Sequence, residues 1–389
     1  MMIWPRFFSL LLVLTLLLIC ASAVPDSVSE VTCNDDDGVC TETITATPHK
    51  QRSVLSVMEE DLDDVYTVAV CTSTGRQGRE VVKRLKEIAP HTANRFHVIG
   101  LTRKHIVHGN SSSSSDGAEQ LPSMDFADEY VQTNYTTESL KDIFTTRDIN
   151  ALFLNYVAVK DQTKIEAGII DAAVQTNVKH IIYSSIVGCD TNTGIGHYES
   201  SYNTELYLKK VEQQRNDLTV HFVRLGPHYN ENILQQGSSS PSSYNFGLPN
   251  FKKKKIQYPW DSHVPFPTSS LRDVGRVVGK LFVDPSLGPQ SIDAVTEVTT
   301  ANDIAHALTL ATNTTIRATK GPWVLLKFGK LFGWQAKSIL QMSKYIDGGL
   351  DGYTVNLNDL KYFLMDELKD EPLETIEKFA LRHYGDAKV

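Results

Sequence analysis

Between Val65 and Gly226 the chain alternates between two patterns. Six runs rich in β-branched and aromatic residues recur: VYTVAV (65–70), FHVIGLTR (96–103), DEYVQTN (128–134), INALFLNYV (149–157), VKHIIYSSI (178–186) and LTVHFVRLG (218–226). Stretches of helical periodicity separate most of them. In residues 76–89, Val81, Val82, Leu85, Ile88 and Ala89 share one face, and in 161–177 Ile165, Ile169 and Ala172 do. A strand that reaches its neighbour through a helix pairs with it in parallel, so the alternation predicts an α/β fold with a doubly wound parallel sheet. Right-handed crossovers gather the loops after the strands along one edge. Those loops are TSTGRQG, TRK, TNYT, NYVAV, SSIVG and LGPHYNEN, and any ligand should touch them.

The chain beyond residue 229 is less regular. SLRDVGRVVGKLFVDP reads as a helix stopped by Pro285, and residues 291–312 as strand, capped turn and helix, with Thr300 and Asp303 spaced as a capping box. NLNDLKYFLMDEL and PLETIEKFALRHYG give two amphipathic helices. The expected organisation is a nucleotide domain over 65–228 and a smaller C-terminal α+β lobe over 229–389, partly interleaved with the sheet. The apolar stretch GPWVLLKFGKLFGWQAKSIL belongs to the lobe core or to a pocket lid.

The first residues read as a targeting segment. Met1–Arg6 carries one positive charge, Phe7–Ile19 is an apolar run of 13 residues, and Ala21-Ser22-Ala23 is a small-x-small cleavage signal. That is the pattern of a secretory signal peptide over 1–23, too short for the ~20 residues of a membrane span. An uncleaved signal anchor is the alternative, and import into a complex plastid a further one. The expected location is therefore the ER lumen or the exterior, with no stable membrane span after cleavage. Residues 24–64 are acidic and read as a disordered leader. Sequons at Asn110, Asn134 and Asn313 agree with secretory entry. Cys33 and Cys40 bracket an acidic loop, where an oxidising compartment permits a local disulfide. A formal net charge of −8 argues against nucleic acid as a partner, and the Lys252–Lys255 run reads as a solvated loop.

The loop CTSTGRQGRE follows a strand and opens a helix. A phosphate-binding turn needs that context, with glycines that let backbone approach a pyrophosphate at the helix N-terminus. Gly75 and Gly78 supply the close approach, and Thr74, Arg76 and Gln77 stand beside them. Thr72 occupies the position where a glycine makes the first tight turn. Arg103 ends the second strand with Lys104 beside it. An acid there would bond the ribose 2′-hydroxyl of NAD, whereas an Arg suits the 2′-phosphate of NADP; the alternative is a surface basic pair.

These residues carry a resemblance. TSTGRQGREVVKRL, LTRK, VKHIIYSSIVG, HYESSYNTELYLKK and VRLGPHYNENIL resemble the NmrA-like family of atypical short-chain dehydrogenase/reductase folds, over Val65 to Thr312. The T-G-x-Q-G turn and the pair Glu231-Asn232 are its more specific parts. The resemblance implies a Rossmann-like fold that binds NADP(H), with Asn155 and Tyr156 flanking the cofactor and Ser184 and Ser185 ending the strand beside the nicotinamide. It also places Asn134 where the family has an Asp that meets the adenine. Members act as redox sensors or transcriptional co-regulators, and related reductases transfer hydride.

Hydride transfer to a carbonyl commonly uses Tyr with a Lys four residues on. Here those positions fall on His197 and Ser201. His197 is the candidate acid, or else an exposed loop histidine. Ser185 would bond a substrate carbonyl or satisfy the strand end. Three readings follow: a dinucleotide sensor or regulatory module, a reductase of a small carbonyl or enone substrate, and a secreted interaction protein that has lost its cofactor. The sequence names no protein partner.

Overall fold

The computed structural model describes residues 30–33, 40–43, 65–91, 95–103, 126–156, 159–234, 247–288, 290–321, 334–350 and 353–385. The expectations for residues 1–29, Lys104, Asn110 and residues 322–333 lie outside them. The chain divides into two units, Met1–Asp61 and Leu62–Val389.

Two short segments of the first unit are described. Glu30–Cys33 pairs antiparallel with Cys40–Thr43, and Cys33 stands directly opposite Cys40. The two segments, EVTC and CTET, each carry two β-branched residues, which suit an extended ladder.

The second unit is built on a seven-stranded sheet. Its first six strands are β1 (Val65–Val70), β2 (Arg95–Thr102), β3 (Glu129–Gln132), β4 (Ala151–Leu154), β5 (His180–Ile186) and β6 (Thr219–Leu225). The crossovers carry α1 (Arg76–Ile88), α2 (Thr137–Thr146), α3 (Gln162–Val174) and α4 (Gly196–Gln214). In the lobe, β7 (His228–Tyr229), β8 (Lys255–Tyr258) and β9 (Phe266–Ser269) precede α5 (Leu271–Val283), β10 (Ser291–Asp293), β11 (Glu297–Thr299) and α6 (Ala301–Thr312). The chain continues through β12 (Arg317–Lys320), α7 (Trp334–Asp347), α8 (Leu357–Phe363) and α9 (Ile376–Tyr384).

The sheet order is β3-β2-β1-β4-β5-β6-β10, and every pair is parallel. The order reverses at β1 and β4, which opens a crevice beyond their C-terminal ends. The seventh strand comes from the C-terminal half: Ile292 pairs with Val223.

Alternation along β1 serves two cores. Val68 and Val70 pack with Val81, Val82 and Leu85 of α1 and with Val274 and Val278 of α5. Ala69 and Cys71 face the opposite core, with Leu140 of α2, Ile169 of α3 and Leu208 of α4. Val81, Val82 and Leu85 are at most 1% exposed. Each such side chain contributes about 1.5–3 kcal/mol of burial, which fixes α1 and therefore the turn before it. α5 lies close against α1 because it carries Gly275; a Cβ there would stand 3.0 Å from the Glu80 carbonyl oxygen.

The rest of the C-terminal half has its own core around Trp260, Phe266, Ile304, Leu308, Ile346 and Phe379. The box at the head of α6 forms as the spacing predicts, with Thr300 and Asp303 exchanging hydrogen bonds. Among the described residues no helix is long and apolar enough to cross a membrane, and no cluster could hold a metal ion.

Candidate functional site

The turn after β1 is closed by its own backbone. Gly75 N–H donates to the Thr72 carbonyl at 2.8 Å, and Ser73 N–H to the Leu101 carbonyl at 3.1 Å. Thr72 has φ +46°, the left-handed backbone that favours glycine. Two bonds hold it there. Its N–H donates to the Tyr135 hydroxyl at 2.8 Å, and its Oγ1 donates to the Asn155 carbonyl at 3.1 Å. Gly78 is needed for closure, since a Cβ there would stand 2.6 Å from the Thr72 oxygen and 2.8 Å from Ser73 Cα.

Helix α1 then starts from Gly75 with no side-chain cap and no acid in its first turn. An uncapped helix N-terminus beside exposed Gly75 backbone suits a pyrophosphate. The neighbouring side chains divide their tasks. Thr74 Oγ1 lies 3.4 Å from Thr102 Oγ1 at the end of β2. Gln77 Nε2 donates to Ser184 Oγ at 2.6 Å, which ties α1 to the end of β5. Arg76 turns to the lobe: its Nη1 donates to the Glu231 carbonyl at 3.2 Å and to Asn232 Oδ1 at 2.9 Å. The Glu231-Asn232 pair thus anchors the head of α1. Glu231 also accepts Leu271 N–H at the start of α5, and burial pushes its carboxyl up to about 8.

Beside this turn, Arg103, Gln132, Thr133, Asn134 and Ser139 line an open groove of about 520 Å³. The Arg103 guanidinium lies 5.8 Å from the centre of the Tyr156 ring, which meets Tyr135 edge-on at 5.3 Å. Asn134 is exposed at the groove, and Asn155 and Tyr156 are half-buried beside the turn.

The two serines of β5 have different surroundings. Ser184 meets α1 through Gln77, whereas Ser185 is 2% exposed and donates to Glu205 Oε1 at 2.7 Å. Glu205 is held by Arg224, whose Nε and Nη2 bond its two oxygens at 3.0 and 2.8 Å. Despite burial, those bonds keep the Glu205 carboxyl below its usual range. Cys189 Sγ lies 2.9 Å from Ser185 Oγ, and burial pushes its thiol up to about 12, so it is unreactive at neutral pH. The Ser185 hydroxyl is therefore engaged inside the fold.

His197 is not an exposed loop residue. It lies in the first turn of α4, 7% exposed, with its ring edge-on to Tyr198 and its Nδ1 bonded to Ser338 of α7. Burial lowers its pKa to about 4, so the ring is neutral at neutral pH and is a poor proton donor there. Ser201, four residues on, is 2% exposed and its side chain bonds Tyr183.

A family model, the NmrA-like family, matches residues 65–375. This chain belongs to the NmrA-like family. No curated protein matches it in sequence. Among solved structures it is similar to an NADPH-dependent quinone oxidoreductase from Escherichia coli in complex with NADPH, at 15% identity over 82% of this chain and 99% of that one, with TM-score 0.57. It is similar at 15% identity to the Citrobacter triphenylmethane reductase complexed with NADP(H), over 82% and 99%, TM-score 0.58. It is also similar to NmrA, a negative transcriptional regulator, in complex with NAD: 17% identity, 82% and 95%, TM-score 0.55. At these identities the likeness shows the fold: a Rossmann-like sheet with its crevice at the glycine turn.

Sequence reasoning missed three residues of this NmrA-like site. Tyr135 sits in the TNYT loop and supplies the phenol behind Thr72. Arg224 and Glu205 form the buried pair beneath Ser185. The signal for Arg224 is a charge inside the apolar run TVHFVRL, since a buried charge needs a partner.

Proposed function

We propose that the protein binds NADP(H) and acts as a dinucleotide-dependent sensor or regulatory module of the secretory pathway, without Tyr–Lys hydride chemistry. One contrast carries this reading. The turn and groove stand open around Gly75, Arg103 and Asn134, while His197 and Ser201 are buried and bonded to Ser338 and Tyr183. Arg103 supports NADP over NAD, since a guanidinium at the end of the second strand suits a 2′-phosphate. The fit of a dinucleotide rests on the uncapped head of α1 and on Gly78, which lets the turn fold back on the helix. Bound there, the nicotinamide would supply a reversible hydride. Ser184, held by Gln77 near the C-terminal end of β5, is the side chain we assign to that end of the crevice.

A second reading, NADPH-dependent reduction of a small carbonyl or enone, is supported by the reductases among the structural relatives. Calorimetry of the chain from Val24 onward with NADPH and NADH tests the first claim. The expected result is preference for NADPH, lost in Arg103→Ala; equal binding of the two, or none, overturns it. NADPH oxidation across a panel of quinones, aldehydes and enones separates the readings, with no turnover expected.

A further inference from the structure

The groove that takes the adenosine end in this reading contains the middle sequon of the chain. Asn134, Tyr135 and Thr136 read Asn-Tyr-Thr. Asn134 is exposed and lines the groove together with Arg103. Its Oδ1 accepts Thr136 N–H at 3.1 Å, so that oxygen is turned toward the start of α2. The Nδ2 nitrogen, on the same amide carbon, is the atom that an N-linked glycan would occupy.

We propose that Asn134 is an N-glycosylation site whose occupancy excludes the dinucleotide. The inference rests on the NADP(H)-binding reading and on passage through the secretory lumen. The modification transfers a saccharide from a lipid-linked diphosphate donor. The bond from Asn134 Nδ2 to the sugar C1 forms, the C1–O bond to the diphosphate breaks, and the amide proton leaves as the diphosphate departs. A saccharide rooted there enters the groove lined by Arg103 and Ser139, the space an adenosine 2′-phosphate would need.

The folded sequon adds a condition on timing. Tyr135 is 4% exposed with φ +59°. Thr136 is the N-cap of α2, with its Oγ1 accepting Ser139 N–H. The hydroxyl of the acceptor sequence is therefore engaged, and its central residue is buried under the turn. A transferase that needs an accessible sequon reaches it only before this segment folds. Occupancy is then decided at synthesis, and the protein leaves the lumen as two lasting populations, one able to bind NADP(H) and one not. Asn313 contrasts with it: that sequon is exposed at the C-cap of α6, outside the groove residues.

The test compares the full chain made three ways: in a secretory eukaryotic host, in the bacterial cytosol, and in the secretory host as Thr136→Asn. That substitution removes the sequon, keeps Asn134, and keeps an N-cap residue for α2. Peptide mass spectrometry reads the occupancy of Asn134, and calorimetry reads NADPH binding. Expected are a glycan on Asn134 of the secreted wild type, NADPH binding weakened by about tenfold or more in that fraction, and equal, intact binding in the other two proteins. Folded bacterial protein offered to the transferase should stay unmodified. A bare Asn134 in the secreted protein, or full NADPH binding by the occupied fraction, overturns the inference and leaves the NADP(H) reading standing. Absence of binding in the bacterial protein overturns both.

Discussion

Tyr135 reaches across 63 residues of sequence to accept the backbone N–H of Thr72 at 2.8 Å. The same hydroxyl donates to the Leu101 carbonyl at 3.0 Å, so one phenol joins the ends of β1 and β2. Both partners have left-handed backbone, with φ +59° at Tyr135 and +46° at Thr72. The turn that a glycine would make unaided is here held by a side chain from the third loop.

Tyr135→Phe should expose that dependence. The Leu101 carbonyl still accepts from Ser73, but the Thr72 N–H loses its partner in a largely buried place. An unsatisfied donor costs about 1–3 kcal/mol, and denaturant unfolding should show a loss of that size. NADPH binding should weaken with it, because the loosened loop is the one that meets the pyrophosphate. Unchanged stability would mean that water replaces the phenol.

Thr72 reverses the usual ranking of alanine and glycine. Left-handed backbone costs an L-residue roughly 1–2 kcal/mol and glycine almost nothing. Thr72→Ala keeps that strain and discards the Oγ1 bond to Asn155, so it should be the less stable variant. Thr72→Gly should exceed it by about 1 kcal/mol in urea unfolding and should bind NADPH at least as tightly as wild type. Alanine above glycine would show that the turn relaxes out of the left-handed region.

Much of this was legible in the sequence. Strand alternation fixed the six-strand core of the sheet, and Gly75 and Gly78 located the turn, because backbone approach depends on local residue type. Thr72 was visible as the missing glycine for the same reason. Long-range pairings were not legible. Ser185 reads as a substrate contact or a strand-end hydroxyl, and its bond to Glu205, itself held by Arg224, is invisible in the sequence. His197 read as an acid or a loop residue, yet α4 begins at Gly196 and turns the imidazole onto Ser338, 141 positions away. The strand at the head of residues 291–312 is legible, but not that its first three residues, SID, form β10 and pair with β6 at the edge of the sheet.

Glu166 of α3 makes folding pH-dependent. It is 1% exposed and accepts hydrogen bonds from Thr204, Gln162 and Tyr183, yet burial still raises its carboxyl to about 7. The folded pKa lies above the unfolded value of 4.5, so the folded state holds the proton longer. This contribution to stability is complete below pH ~4.5 and is lost as pH rises to about 7, a total loss on the order of 3 kcal/mol. Glu166→Gln removes the ionisation, and the new amide can donate to Gln162 Oε1, which lacks a partner among the described residues. The variant should gain on wild type progressively between pH 5 and 8 in unfolding experiments. A constant difference across that range would place the ionisation elsewhere.

His197 titrates in the opposite sense. Burial lowers its pKa from 6.5 to about 4, so the folded state favours the neutral ring. Its contribution is present above pH 6.5 and is lost as pH falls toward 4. His197→Asn removes the contact with Tyr198 and disturbs the bond to buried Ser338, at a cost of about 1–3 kcal/mol near pH 8. That cost should shrink by pH 5, where wild type has itself begun to lose the benefit. NADPH affinity should not change, because the imidazole faces α7. Any NADPH oxidation found with a quinone or enone should keep its rate in the variant and show no ionisation of His197 near pH 6.5. A drop of a hundredfold in turnover with stability intact would instead make His197 the proton donor and return the protein to the reductases.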